Sequence, residues 1–181
     1  MRDTLLKVWS EGTFVHLTLE DGEHDGFILA VGSDLVLVQA IHEFQDVGAL
    51  VIPIELVEDC EVSEHAEDQM KILDFNSVKR TKRYGWVKIN SLPALFKSLQ
   101  AKDKFVVLSA DDSADVGLVD AIENDLVVLK GIDPGGNWQA DETEWPFDDI
   151  RLVQFDDSYS RTLQRYAEKQ VGTGQDAHTD G

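Results

Sequence analysis

Residues 14–19, Phe-Val-His-Leu-Thr-Leu, alternate apolar and polar side chains, the period of a strand with one buried face. Turn chemistry follows at Asp21-Gly22-Glu23. The pattern then predicts a strand from Gly26 to Val31, a tight turn at Gly32-Ser33-Asp34, and a more continuously apolar strand from Leu35 to Ile41. A fourth strand is predicted over Ala49 to Ile54 and a short fifth over Glu58 to Val62. The same series recurs later in the chain. Strands are predicted over Phe105 to Ala110, Gly117 to Ile122, Leu126 to Ile132, Asn137 to Phe147 and Arg151 to Phe155. Turns lie at Asp111-Asp112-Ser113, Glu123-Asn124-Asp125 and Asp133-Pro134-Gly135-Gly136.

Helical periodicity marks four other stretches. Thr4 to Trp9 leads the first series and Pro93 to Leu99 leads the second, with Pro93 suited to a first helical turn. Glu64 to Leu73 is helix-like. Ser158 to Lys169 places Tyr159, Leu163 and Tyr166 on one stripe, with Ser158 as the expected cap. From Gly172 onward the apolar period disappears, which predicts a disordered tail.

The two series align without a gap. Residues 14–42 fall on 105–133 at an offset of 91, with 10 of 29 positions identical, and a two-residue insertion then brings Ile52-Pro53-Ile54 onto Trp145-Pro146-Phe147. Duplication explains this order better than the general likeness of short strands. Five short strands in a flat sheet would leave open edges, so each copy is expected to bend into a small barrel. The predicted architecture is mainly β: two tandem five-stranded barrels, each with a short N-terminal helix, plus a C-terminal helix. The expected boundaries are 1–65 for the first barrel, 66–91 for a basic, partly helical connector, 92–170 for the second barrel, and 171–181 for the tail.

Each copy looks like the Sm/Hfq family within the SH3-like barrels. The likeness rests on Val15, Leu17, Leu19, Asp21-Gly22, Gly26 and Asp34-Leu35-Val36-Leu37. Val106, Leu108, Gly117 and Asp125-Leu126-Val127-Val128 repeat it. The match covers about fifty residues per copy. The resemblance implies an RNA site with Asn in the turn before the third strand and a basic residue with Gly in the last turn. Here Asp34 and Asp125 replace that Asn, and the last turns read Pro53-Ile54-Glu55 and Pro146-Phe147-Asp148. An ionised Asp only accepts hydrogen bonds and repels phosphate, so the RNA-reading residues do not carry over. The spacing from Gly26 to Asp34 is also one residue shorter than the family pattern.

Charge sharpens the organisation. The chain has 181 residues and a formal net charge of −19. Residues 1–65 hold 2 basic and 14 acidic side chains, 66–104 hold 9 and 4, and 105–181 hold 5 and 17. Two acidic blocks flank one basic segment, and their mutual attraction is expected. The total charge disfavours nucleic acid and anionic membranes as partners. No apolar run is long enough to span a bilayer. The N-terminus does not read as a signal peptide, and the lone Cys60 suits a reducing compartment, so a cytoplasmic location is expected.

Lys79, Arg80, Lys82, Arg83 and Lys88, interleaved with Tyr84 and Trp86, form the candidate binding segment. Cations engage phosphates and aromatic rings stack on bases, so RNA is one reading; a connector docked on acidic barrels is the other. His16, His24, His42 and His65 show no i,i+3 or i,i+4 pairing, and no Cys-x-x-Cys is present, so no metal site and no cofactor are expected. The acidic runs Asp111 to Asp115 and Asp141 to Glu144 lack the Gly and terminal Glu of a calcium loop. No nucleophile elbow or phosphate-cradling loop is present, so no catalytic residue is assigned. The favoured expectation is a non-enzymatic interaction or scaffold protein, partnered by another protein or by itself in a dimer or a three-chain ring. RNA binding through 79–88 is the alternative, and a hydrolase with an acidic cleft between the barrels is the weaker one.

Overall fold

The computed structural model describes residues 1–20, 22–111 and 113–175. The expected turn residues Asp21 and Asp112, and positions 176–181 of the expected tail, lie outside them.

Helix α1 (Arg2–Glu11) opens the chain and ends on Gly12 at φ 70, the left-handed stop that glycine makes readily. Leu5 and Val8, three apart, are its buried residues, and each contributes about 2 kcal/mol by leaving water. The first series forms β1 (Phe14–Leu19), β2 (Gly22–Val31), β3 (Leu35–His42), β4 (Gln45–Pro53), a 3-10 turn (Ile54–Leu56) and β5 (Val57–Glu61). Helix α2 (Ala66–Phe75) and an irregular stretch follow. Helix α3 (Leu92–Gln100) is capped by the Ser91 hydroxyl, which accepts from the Ala94 amide. The second series forms β6 (Phe105–Ser109), β7 (Ala114–Ile122), β8 (Leu126–Gly131), β9 (Thr143–Pro146), a 3-10 turn (Phe147–Asp149) and β10 (Leu152–Phe155).

The strands form one ten-stranded antiparallel sheet in the order β5-β1-β2-β3-β4-β10-β6-β7-β8-β9. This corrects the expectation of two separate closed barrels. Strand β4 pairs with β10 of the other series through Val51–Val153, Leu50–Gln154 and Ala49–Phe155. The sheet therefore runs unbroken through both halves and stays open at β5 and β9.

Within each half the strand order is the same: last, first, second, third, fourth. Local irregularities repeat at the 91-residue offset too. The β2–β3 ladder slips between Ile28 and Ala30, and the β7–β8 ladder slips between Val119 and Ala121. Gly26 and Gly117 bring their backbones against the carbonyls of Gln39 and Lys130, where a Cβ would collide. The Asp34 carbonyl accepts from Ile54 N at 2.8 Å, and the Asp125 carbonyl from Phe147 N at 2.9 Å.

Side chains from one face of β1 to β5 meet α1 in a single cluster that includes Leu5, Leu17, Ile28, Val38, Leu50 and Cys60. The opposite face of β3 and β4 belongs to the second core. Leu35, Leu37, Ala49 and Val51 pack there with α3 and with Val106, Leu129 and Phe155. Burial on both faces accounts for the continuous apolar character of β3.

Helix α4 (Ser158–Gln175) runs several residues into the stretch expected to be tail. Its cap is Asp157, not Ser158: Asp157 Oδ1 accepts from Tyr159 N at 2.8 Å and Ser160 N at 2.9 Å. A carboxylate satisfies two orphan amides there. The buried stripe is Ser160, Leu163 and Ala167, while Tyr159 and Tyr166 are exposed. Leu163 and Ala167 share a cluster with Phe105 and Ile132.

Candidate functional site: an acidic cleft at the junction

The predicted binding segment follows α2, and the fold uses much of it as filling. Tyr84 is 2 % exposed, with its ring edge-on to Phe155 at 5.4 Å. Burial pushes its hydroxyl up to about 12. Trp86 is half-buried and tilted against the same ring at 6.2 Å. Val87 and Ile89 complete an apolar edge that enters the second core. A buried side chain of β3 holds the segment down. Gln39 Nε2 donates to Asp46 Oδ2 and to the Lys79 carbonyl, both at 3.0 Å, and its Oε1 accepts from Thr81 N at 2.8 Å.

The cations divide into two groups. Lys79 Nζ lies 3.1 Å from Asp74, and Arg83 lies 3.1 Å from Asp46 while also contacting the Tyr84 hydroxyl and ring. Arg80 is half-buried, and Lys82 and Lys88 are exposed. Asp46 is the first-half carboxylate in these pairs, whereas Asp74 belongs to the stretch 66–104 itself. The buried Tyr84 ring has no face left for a nucleobase.

A wider feature lies where the two halves meet. Around a cleft of about 1270 Å³ stand the β2–β3 turn with Asp34, both 3-10 turns, and the start of β7. Asp34, Glu55, Asp111, Asp115, Glu144, Asp148 and Asp149 line it, against only Arg2 and Arg151. Most of these carboxylates are exposed. Arg2 Nε donates to the Gly32 carbonyl at 2.9 Å, which ties α1 to the rim. Arg151 pairs with Asp111 and lies 3.5 Å from Glu20. Asp34 Oδ2 accepts from the Ser33 hydroxyl at 2.8 Å, and Asp115 Oδ2 from the Trp145 indole at 2.9 Å. Phe147 stacks on Phe96 at 6.0 Å and 9° between planes, which anchors the second 3-10 turn to α3.

Thus Asp34, Pro53 to Glu55, and Pro146 to Asp148, the positions that depart from the RNA-binding pattern, share one surface. Asp125 does not line it. The sequence reading missed Arg2 and Arg151 at the rim. The signal was present in the repeat, since Glu58 of the first copy falls on Arg151 of the second.

Two of the histidines sit beside carboxylates. His16 Nδ1 is 2.9 Å from Asp25, and Nε2 is 3.7 Å from Glu23. The Asp25 hydrogen bond raises the His16 pKa, against the opposing effect of burial. His65 lies beside Glu64 at 3.5 Å. Among the described residues, no group of three or more His, Cys, Asp or Glu is placed to hold a metal ion. Nor is any described helix long and apolar enough to cross a membrane.

The chain matches no family model, no curated protein and no solved structure.

Proposed function

We propose that this protein is a non-enzymatic interaction module: two Sm-like five-stranded halves in tandem, joined edge to edge in one open sheet, that hold a basic polypeptide segment in the cleft between them. The observation that carries this reading is the cleft itself, wide and lined by seven carboxylates against two arginines. Exposed carboxylates around a concave surface attract Lys- and Arg-rich chains and raise their association rate, with marked salt dependence. The common strand order and shared irregularities of the halves support the tandem reading.

Binding of a Lys/Arg-rich peptide, followed by calorimetry, tests the proposal. The triple variant Glu55→Lys, Glu144→Lys, Asp148→Lys is expected to lose at least about tenfold in affinity. The control Glu64→Lys, Glu67→Lys, Asp68→Lys has the same net charge and alters only the α2 side, so it should lose much less. Equal losses would mean that net charge alone attracts the peptide, and the cleft would have no special role.

The RNA alternative draws on Lys82 and Lys88, the exposed cations of the segment outside the ion pairs to Asp74 and Asp46. RNA binding abolished by Lys82→Glu with Arg83→Glu, and unaffected by the cleft variant, would favour it. Cleavage of a substrate that depends on a cleft carboxylate would instead favour the hydrolase.

A further inference from the structure

A second, smaller cavity of about 400 Å³ lies between the irregular segment and the outer face of β2 and β3. Leu29, Leu37, Tyr84 and Val87 give it apolar walls, and Arg80 and Lys82 supply cationic groups. The volume falls within the range of small-molecule sites, which combine apolar walls with a few placed polar groups.

Arg80 is unusual in this molecule. Among the described residues, the other two half-buried cations each hold a carboxylate, Lys104 on Asp156 and Arg151 on Asp111. The flanking cations do likewise, Lys79 on Asp74 and Arg83 on Asp46. Arg80, half-buried between them, has no carboxylate within ion-pair distance among the described residues. Burial pulls its pKa down, and no neighbouring charge offsets that effect. Its guanidinium lies near Gly12, at the C-terminal end of α1, where the helix dipole offers only partial compensation. A guanidinium without its counter-ion, beside an apolar hollow, is matched by an oxyanion on an apolar body.

We propose that this cavity binds a small amphiphilic anion, a carboxylate or phosphate head on an aliphatic or aromatic body, with Arg80 holding the head. Lys82 adds positive charge at the mouth, and the body lies against Leu29, Leu37 and Val87. The site is separate from the junction cleft and does not depend on the function proposed for it.

Three probes of equal chain length test this: octanoate, octyl phosphate and octylamine, titrated into the full chain and followed by calorimetry. The molecule's field at −19 favours the amine, so preference for an anion can come only from a local cationic site. Saturable binding of octanoate or octyl phosphate is expected, with octylamine at least about tenfold weaker. The stronger of the two anions identifies the head group. Arg80→Gln should weaken anion binding about tenfold or more, whereas Lys79→Gln, a cation already paired with Asp74, should leave it unchanged. Ala30→Leu fills the cavity without touching the charge and should also abolish binding; circular dichroism checks that both variants fold. The proposal is overturned if neither anion saturates below about 10 mM, if the amine binds best, or if binding survives both Arg80→Gln and Ala30→Leu.

Discussion

Gln39 and Lys130 stand 91 residues apart at equivalent places on β3 and β8, each with its carbonyl pressed on a glycine, Gly26 or Gly117. Their side chains live in opposite surroundings. Gln39 is 1 % exposed under the irregular segment, whereas Lys130 is exposed, with its ammonium 4.9 Å from the Trp138 ring. The backbone geometry is common to both halves, and the cover over one of them is not.

The glycines should behave alike. Gly26→Ala and Gly117→Ala each place a methyl against a ladder carbonyl that cannot move without breaking β2–β3 or β7–β8 pairing. Each is expected to cost about 3 kcal/mol in urea denaturation. A marked inequality would show that one half tolerates a shift the other does not.

Gln39 and Lys130 should behave differently. Gln39→Leu leaves the Thr81 amide, the Lys79 carbonyl and Asp46 without their shared partner. A loss of about 2–3 kcal/mol is expected, with faster hydrogen exchange at the Thr81 amide. Lys130→Leu should change stability by less than about 0.5 kcal/mol.

His16 provides a pH signature. Its folded pKa is raised, first by the hydrogen bond to Asp25. The stabilisation is therefore fully present below the unfolded value of about 6.5 and is lost as pH rises through the folded pKa. Asp25→Asn should return the His16 titration, followed by NMR, toward the ordinary histidine range and flatten this part of the stability profile.

Cys60 should be a slow thiol. Burial, with Asp59 adding to it, pushes its pKa up to about 11. Only about one thiol in a thousand is ionised at pH 8, so alkylation of the native protein should be far slower than in denaturant.

The free sheet edges make a charge prediction. At the internal junction Ala49 and Val51 of β4 lie along Phe155 and Val153 of β10. At the corresponding places on the outer edges stand Glu142 just before β9 and Glu144 on it, and Cys60 and Val62 at the end of β5, where Asp59 and Glu61 alternate with them. Acidic side chains along both open edges oppose repetition of the junction between copies, a common protection of open edges. Light scattering at pH 7 should report a monomer. The quadruple variant Asp59→Leu, Glu61→Gln, Glu142→Ala, Glu144→Val should associate.

Much of the fold was legible in the sequence. The period-two run of Phe14 to Leu19 coincides with β1, and Pro93 marks the first turn of α3 through local chemistry alone, whereas its Ser91 cap appears only in the structure. Identities at the 91-residue offset foretold a shared strand order, because matched strand and turn patterns fold locally in the same way. The acids of the cleft were visible one by one, but not their convergence, since turns far apart in sequence meet only through the sheet. The cap of α4 was misplaced by one residue because Asp157 and Ser158 are both good caps, and only the backbone path chooses between them.

What the sequence determined by itself is the number and chain order of the strands, the two-fold repetition and the strongly acidic surface, although the strand expected over Asn137 to Phe147 forms only over Thr143–Pro146. Those depend on periodicity, turn residues and charge, which are properties of neighbours along the chain. Only the tertiary structure decided that the halves share one open sheet. Backbone amides and carbonyls are the same in every strand, so nothing local says which edge β4 pairs with. That choice was made by the apolar second face of β3 and β4, which α3, the second half and Tyr84 cover together.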